Sequence, residues 1–162
     1  MTVVSEDSDY YKLEVKPSLI PNAGNGVFAT GLIVKDEIIA EYRGKVFTCG
    51  LYEEFVDSGK IMKINDMFID SVGVAAMIND CVKFVPIDTS LSKHLSKDDF
   101  KLKIWENKAY NCKFDKKNDK MFVVTMQDIQ PGDELYVSYG QNYWTSVLLD
   151  RAFNMRIINF GQ

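Results

Sequence analysis

One histidine, His94, is present in the 162 residues. It stands in a Ser/Lys-rich stretch and reads as a solvated surface residue, so a Ser-His-Asp or Cys-His nucleophile system has no support. Cysteine is scarce as well. Cys49, Cys81 and Cys112 are an odd number and form no CxxC pair. Neither a disulfide framework nor a zinc knuckle is indicated, and a reducing compartment is the simplest setting. No uninterrupted apolar run approaches a membrane span. A basic excess is missing too: 19 Lys+Arg stand against 23 Asp+Glu, a formal net charge of −4. That argues against sequence-independent nucleic-acid binding, which needs a net basic face, and it suits a basic peptide substrate. No phosphate-binding glycine loop, internal repeat or linker appears, and residues 115–120 (DKKNDK) read as a solvated turn rather than a metal loop. No metal is expected.

What is present is ordinary for a globular protein: 46% hydrophobic and 26% charged residues. A chain of this length is expected to form one domain with a substantial core. Residues 1–10 form an acidic lead without the basic and apolar blocks of a secretion signal. A soluble intracellular protein is therefore expected, nuclear or chromatin-associated in a eukaryotic cell or host and cytoplasmic otherwise.

Short extended runs follow one another between turn formers. Residues 11–16 (YKLEVK) alternate and stop at Pro17; residues 21–26 (PNAGNG) are a loop; 27–30 resume an extended pattern. Residues 37–46 (EIIAEYRGKV) read as two strands around Arg43-Gly44, and 67–70 as another. Residues 51–60 are weakly helical or irregular. The small apolar run 72–78 (VGVAAMI) suits a buried short helix. Residues 88–107 change character, with Ser, Lys and Asp dominant, and read as a partly helical surface insertion. Residues 110–114 and 121–126 suggest a hairpin, and 143–152 a short helix. So apolar a tail as residues 145–162 is expected to dock. Many short strands with little helix predict a mostly β domain of several small sheets.

Residues 133–144 (DELYVSYGQNYW) concentrate three tyrosines and a tryptophan around Gly140. The run is entered through Pro131-Gly132, the expected central pair of a type II turn. Leu135, Val137 and Tyr139 alternate with Tyr136 and Ser138, as in a strand. Two readings are open: an aromatic core strand, or a slot with phenol hydroxyls held where the chain turns.

Four segments in order resemble one family. They are AGNGVFAT (23–30), EYRGKV (41–46), FIDS through MINDC (68–81) and PGDELYVSYGQNYW (131–144). Together they look like a SET domain, the fold of protein lysine methyltransferases that use S-adenosylmethionine. The likeness is to compact members, short viral ones included, that lack cysteine-rich flanking regions. It spans about residues 11–144 and implies a pseudoknot-like C-terminal segment, with residues 145–162 closing the site.

The chemistry implied is an in-line displacement in which a neutral amine attacks a methyl on a positive sulfonium, leaving S-adenosylhomocysteine. A free lysine, of pKa about 10.4, is almost wholly protonated near neutral pH. The site must favour the neutral amine and hold it in line with the methyl. Aromatic walls suit this, because they sheath the lysine stem without hydrogen-bonding it.

By this resemblance Tyr139 ends the family's ELxxxY motif, with its hydroxyl aimed at the transfer axis. The other reading is a core tyrosine with a satisfied hydroxyl. A phenol of pKa about 10 is no general base at pH 7, so the implied role is orientation and electrostatics. Tyr42 corresponds to an aromatic of the lysine channel, or else is plain packing. Val137 falls where side-chain size helps decide how many methyls are admitted, and Tyr143 is a further channel candidate. Gly24, Asn25, Gly26 and Val27 match a GxG motif whose backbone approaches the cofactor, which glycine permits; alone, GNG is also an ordinary turn. Asn79 matches a cofactor-binding asparagine, or is a helix-ending one. Trp144 is either a face for the adenine ring or a tail-packing residue.

Departures from the family pattern are visible. Asp80 stands where the family usually has histidine, among the cofactor contacts. The asparagine a few residues after the motif's cysteine is missing, and Asn111 is a substitute for it from beyond the insertion. The implied activity is protein lysine N-methylation, with a histone tail as leading substrate. The alternative is a catalytically silent SET-fold module that binds a peptide or partner.

Overall fold

The computed structural model describes residues 12–48, 61–71, 73–87, 100–141, 143–144 and 157–159. Eleven strands in these residues form four small sheets. The first pairs β1 (Leu13–Pro17) with β2 (Asn25–Ala29), antiparallel from Leu13 opposite Ala29 to Pro17 opposite Asn25. Pro17 closes the strand rather than lying beyond it, a position where its missing N–H costs little. Val27, Phe28 and Ala29 are all buried, so β2 reads as a continuous apolar run rather than an alternating one.

The second sheet orders β3 (Ile38–Glu41), β10 (Lys120–Thr125) and β9 (Cys112–Lys117), with β10 central. The β9–β10 hairpin is tighter than the expected six-residue turn. Lys117 faces Lys120, and Asn118 takes the left-handed conformation (φ +56°) that Asn tolerates.

The third sheet has the order β11 (Ile157–Asn159), β5 (Ile61–Ile64), β6 (Met67–Ser71), β4 (Gly44–Thr48). The backbone of β11 runs parallel to β5, with Ile157 opposite Ile61. Part of the apolar tail is therefore docked, as its composition suggests.

The fourth sheet corrects an expectation. Residues 88–107 do not form a partly helical insertion over their described part. Instead β8 (Phe100–Ile104) pairs antiparallel with β7 (Val82–Pro86). The reason is legible in FKLKI, where apolar residues alternate with lysines at the strand period. Residues 88–99 lie outside the described residues, as does the weakly helical 51–60.

A short 3₁₀ turn at Val74–Met77, with Val74 and Ala75 buried, realises the small apolar helix expected there. The segment 133–139 is not the regular strand its alternation suggests. It begins at the predicted turn, closed by the Asp133 amide donating to the Gln130 carbonyl at 3.1 Å. It then shares its backbone bonds between two neighbours. Leu135 N donates to Val27 O at 2.8 Å, and Val137 N to Asn79 O at 3.0 Å. Single bridges at Glu134 and Tyr136 replace a ladder.

The largest core cluster joins β2, β3, β5, β10 and the 3₁₀ turn to Leu135, Val137, Tyr139 and Tyr143. Full burial of one such apolar side chain contributes about 1.5–3 kcal/mol. The segment that carries the aromatic motif is thus held at the centre of the molecule. Among the described residues no helix is long and apolar enough to cross a membrane. The mostly β architecture of small sheets agrees with the expected fold class.

Candidate active site

Between the loop before β2, the start of β7 and the aromatic segment lies a cavity of about 400 Å³. That volume is within the usual range for small-molecule sites. Its walls include Pro21 and Ala23, Asn79 and Asp80, Trp105, Tyr139, Tyr143 and Trp144.

The GNG loop lies behind these walls. Gly24 has φ +71°, a conformation that favours glycine. Gly26 is required for a different reason: a Cβ built on it would stand 2.1 Å from Glu134 Oε1 and 3.2 Å from Asn79 Nδ2. Glu134 cannot easily give way. It is 3% exposed and accepts from Ser18 Oγ (2.5 Å), the Leu19 amide (2.9 Å) and the Tyr136 hydroxyl (2.8 Å). A buried carboxylate is retained only with such partners.

Asn79 joins the two halves. Its Nδ2 donates to Asn25 O at 3.0 Å, and its carbonyl accepts from Val137. Asn111 grips the aromatic segment from the other side, with Nδ2 on Glu134 O at 2.9 Å and Oδ1 receiving the Tyr136 amide at 2.8 Å. This is a tie to the backbone of residues 134–136.

Tyr139 is 4% exposed and donates its hydroxyl to the Ile78 carbonyl. Its ring meets Tyr143 edge-on at 4.8 Å and lies nearly parallel to Trp144 at 6.0 Å. Tyr143 and Trp144 meet edge-on at 5.0 Å. Such geometries are favourable beyond the area they bury. Burial pushes the Tyr139 phenol well above its ordinary range, and the neighbouring Tyr143 adds to that. It is therefore a neutral group.

Tyr42 and Val137 share the buried cluster of Tyr139 and Tyr143 rather than lining this cavity. Tyr42 meets Phe114 edge-on at 5.9 Å. Burial raises its phenol pKa, with smaller contributions from Tyr143 and Asp70.

Asp80 is buried beside the cavity and accepts from Tyr110, Tyr139 and Trp144. Burial raises its carboxyl pKa, and these bonds oppose the rise. Cys81 next to it is no nucleophile: burial and the adjacent Asp80 push its thiol up to about 11.

Sequence reasoning missed Glu134, Ser18, Tyr110 and Trp105 as parts of this region. Glu134 was visible as the acidic residue of DEL, yet nothing local tells that its side chain faces inward. Among the described residues no group of three or more His, Cys, Asp or Glu could hold a metal ion.

The four segments that carry the resemblance thus converge in space, three on the cavity wall or the loop behind it and EYRGKV on the core beneath. The family model for the SET domain matches residues 24–140. The comparison with curated proteins returned no match. SET domains are generally protein lysine methyltransferases, and those enzymes typically use S-adenosylmethionine. With well over half of its length matched, from the GNG loop to Gly140, this chain belongs to the SET-domain family.

Proposed function

We propose that this chain is an S-adenosylmethionine-dependent protein lysine N-methyltransferase that acts on a basic peptide, a histone tail first among candidates. The observation that carries the reading is Tyr139: a neutral, buried phenol, fixed through Ile78, on the wall of a ligand-sized cavity.

The residues present fit the cofactor. The missing side chain of Gly26 leaves the backbone next to Asn79 and Glu134 uncrowded. The cavity offers aromatic faces on one side and the polar edge of Asn79 on another. Gly24, Asn25, Gly26, Val27 and Asn79 would hold its amino-acid end, with Trp144 and Tyr143 against its rings. When bound, it supplies a methyl group on a positively charged sulfur.

The chain's own residues do the rest. Tyr139, Tyr143 and Trp144 exclude water and sheath apolar groups, and that desolvation favours the neutral form of an entering lysine. The Tyr139 hydrogen is committed to Ile78 O, which leaves the oxygen's lone pairs as a fixed partial negative charge at the wall. Tyr42 and Val137, packed in the same cluster, bound the space in which the lysine stem would run. Catalysis on this reading is positioning and electrostatics, without a general base.

Titration calorimetry with S-adenosylmethionine and S-adenosylhomocysteine tests the proposal, followed by methyl transfer to histone peptides. Micromolar binding, about −8 kcal/mol, with transfer to a peptide lysine is expected. Absence of binding to either compound, with and without peptide, would sink the enzyme reading in favour of a silent peptide-binding module.

A further inference from the structure

Asp80 spends both of its carboxylate oxygens on the protein. An ionised carboxylate offers about four lone-pair sites. Here Oδ2 receives Trp144 Nε1 at 2.8 Å and the Tyr139 amide at 2.9 Å, and Oδ1 receives the Tyr110 hydroxyl at 2.7 Å. The side chain is buried, although its residue borders the cavity. Both oxygens are turned toward the protein.

The donors come from separate parts of the chain. Tyr139 lies within the matched SET segment, and Trp144 lies four residues beyond its end at Gly140. Trp144 is packed by rings, Tyr139 nearly parallel at 6.0 Å, Tyr143 and Phe84 edge-on at 5.0 and 5.8 Å. Ring contacts alone leave an indole free to slide or rotate in its plane. The bond to Asp80 removes that freedom.

We infer that Asp80 is a positioning residue: its carboxylate latches Trp144 to the Tyr139 backbone, fixes the aromatic wall, and does not itself touch the ligand. The inference rests on the proposed function only for its binding readout. Histidine, the usual residue at this position, could not reproduce the arrangement, because it has at most one ring acceptor.

Asn and Ala variants separate a latch from a ligand-contacting charge. In Asp80→Asn the amide oxygen can take the place of Oδ2 and keep both the Trp144 and Tyr139 donors. The amide nitrogen then faces Tyr110, whose hydroxyl can accept by turning its hydrogen to its neighbour Ser138. Asp80→Ala removes every bond.

With Trp105→Phe as background, Trp144 is the only tryptophan and reports directly on the wall. Asp80→Asn is expected to leave its emission maximum and acrylamide quenching unchanged, and to hold the Kd for S-adenosylhomocysteine within about threefold. Asp80→Ala is expected to raise quenching at least about twofold and weaken binding at least about tenfold. If that variant does not fold, Trp144→Phe in the otherwise native chain takes its place. It keeps a ring but removes the donor, and a Kd weakened at least about threefold is expected.

Unchanged quenching in Asp80→Ala, or an unchanged Kd in Trp144→Phe, would overturn the latch. So would an Asp80→Asn variant that loses binding as fully as Asp80→Ala while Trp144 emission stays native, since the charge would then act on the ligand directly. Should the parent chain bind no S-adenosylhomocysteine, the proposed function fails and the fluorescence comparison still decides the latch.

Discussion

Gly26 and Glu134 occupy positions that only a glycine makes compatible: a side-chain carbon on Gly26 would stand 2.1 Å from the carboxylate oxygen of Glu134. Because Glu134 is anchored by Ser18, Leu19 and Tyr136, relief requires breaking buried hydrogen bonds. Gly26→Ala is therefore expected to lower stability by about 2 kcal/mol or more, within the range for overpacking plus a lost hydrogen bond. Urea denaturation measures this as a lower midpoint at constant slope; a native midpoint would contradict it.

Tyr139→Phe removes one hydroxyl and leaves the ring contacts with Tyr143 and Trp144. Stability should fall by only about 1–3 kcal/mol, the range for leaving the Ile78 carbonyl without its partner. Methyl transfer to the best peptide should fall at least about tenfold, equivalent to about 1.4 kcal/mol of barrier. Near-native turnover would take Tyr139 out of the mechanism.

Asn79→Ala breaks the side-chain tie to Asn25 while keeping the backbone tie to Val137. Cofactor affinity is expected to weaken more than peptide affinity. Calorimetry with each ligand separately checks this, and equal losses would indicate a folding defect instead.

Asn111→Ala strips hydrogen bonds from the Glu134 carbonyl and the Tyr136 amide, both in a buried segment. At about 1–3 kcal/mol for each of the two unsatisfied groups, a destabilisation of about 2–6 kcal/mol is expected. A thermal unfolding midpoint like that of the parent chain would refute the grip.

Burial holds the Asp80 carboxyl above its ordinary pKa of 3.8. Between the unfolded and folded values the folded chain then binds more protons than the unfolded one. The group's contribution to stability is complete below about pH 3.8 and is lost as pH rises through the folded pKa. The stability difference between the parent chain and Asp80→Asn should therefore shift against the parent as pH rises from 4. Parallel curves across that window would show that burial does not govern this carboxyl.

The strand pattern and the site's ingredients could be read from residues alone. The paired runs around Asn118 and the small apolar run before Asn79 are local properties, set by the period at which side chains face one way. The motif segments were legible because glycine, asparagine and tyrosine were placed where a close backbone approach and a fixed hydroxyl would need them. The strand at Phe100–Ile104 was not read from the sequence, because the Ser, Lys and Asp around it masked its period-two pattern.

What required the folded chain were the long-range acceptances. Glu134 meets Ser18 across 116 positions, and Asp80 meets Trp144 across 64. Residues 135–139 alternate like a strand but divide their hydrogen bonds between β2 and Asn79. A hydrogen bond between distant residues leaves no periodicity in the sequence, because its partners are brought together by packing of elements that neither residue belongs to. The residue types, and so the family, follow from local chemistry; which carboxylate serves as wall, anchor or latch follows from where the sheets carry it.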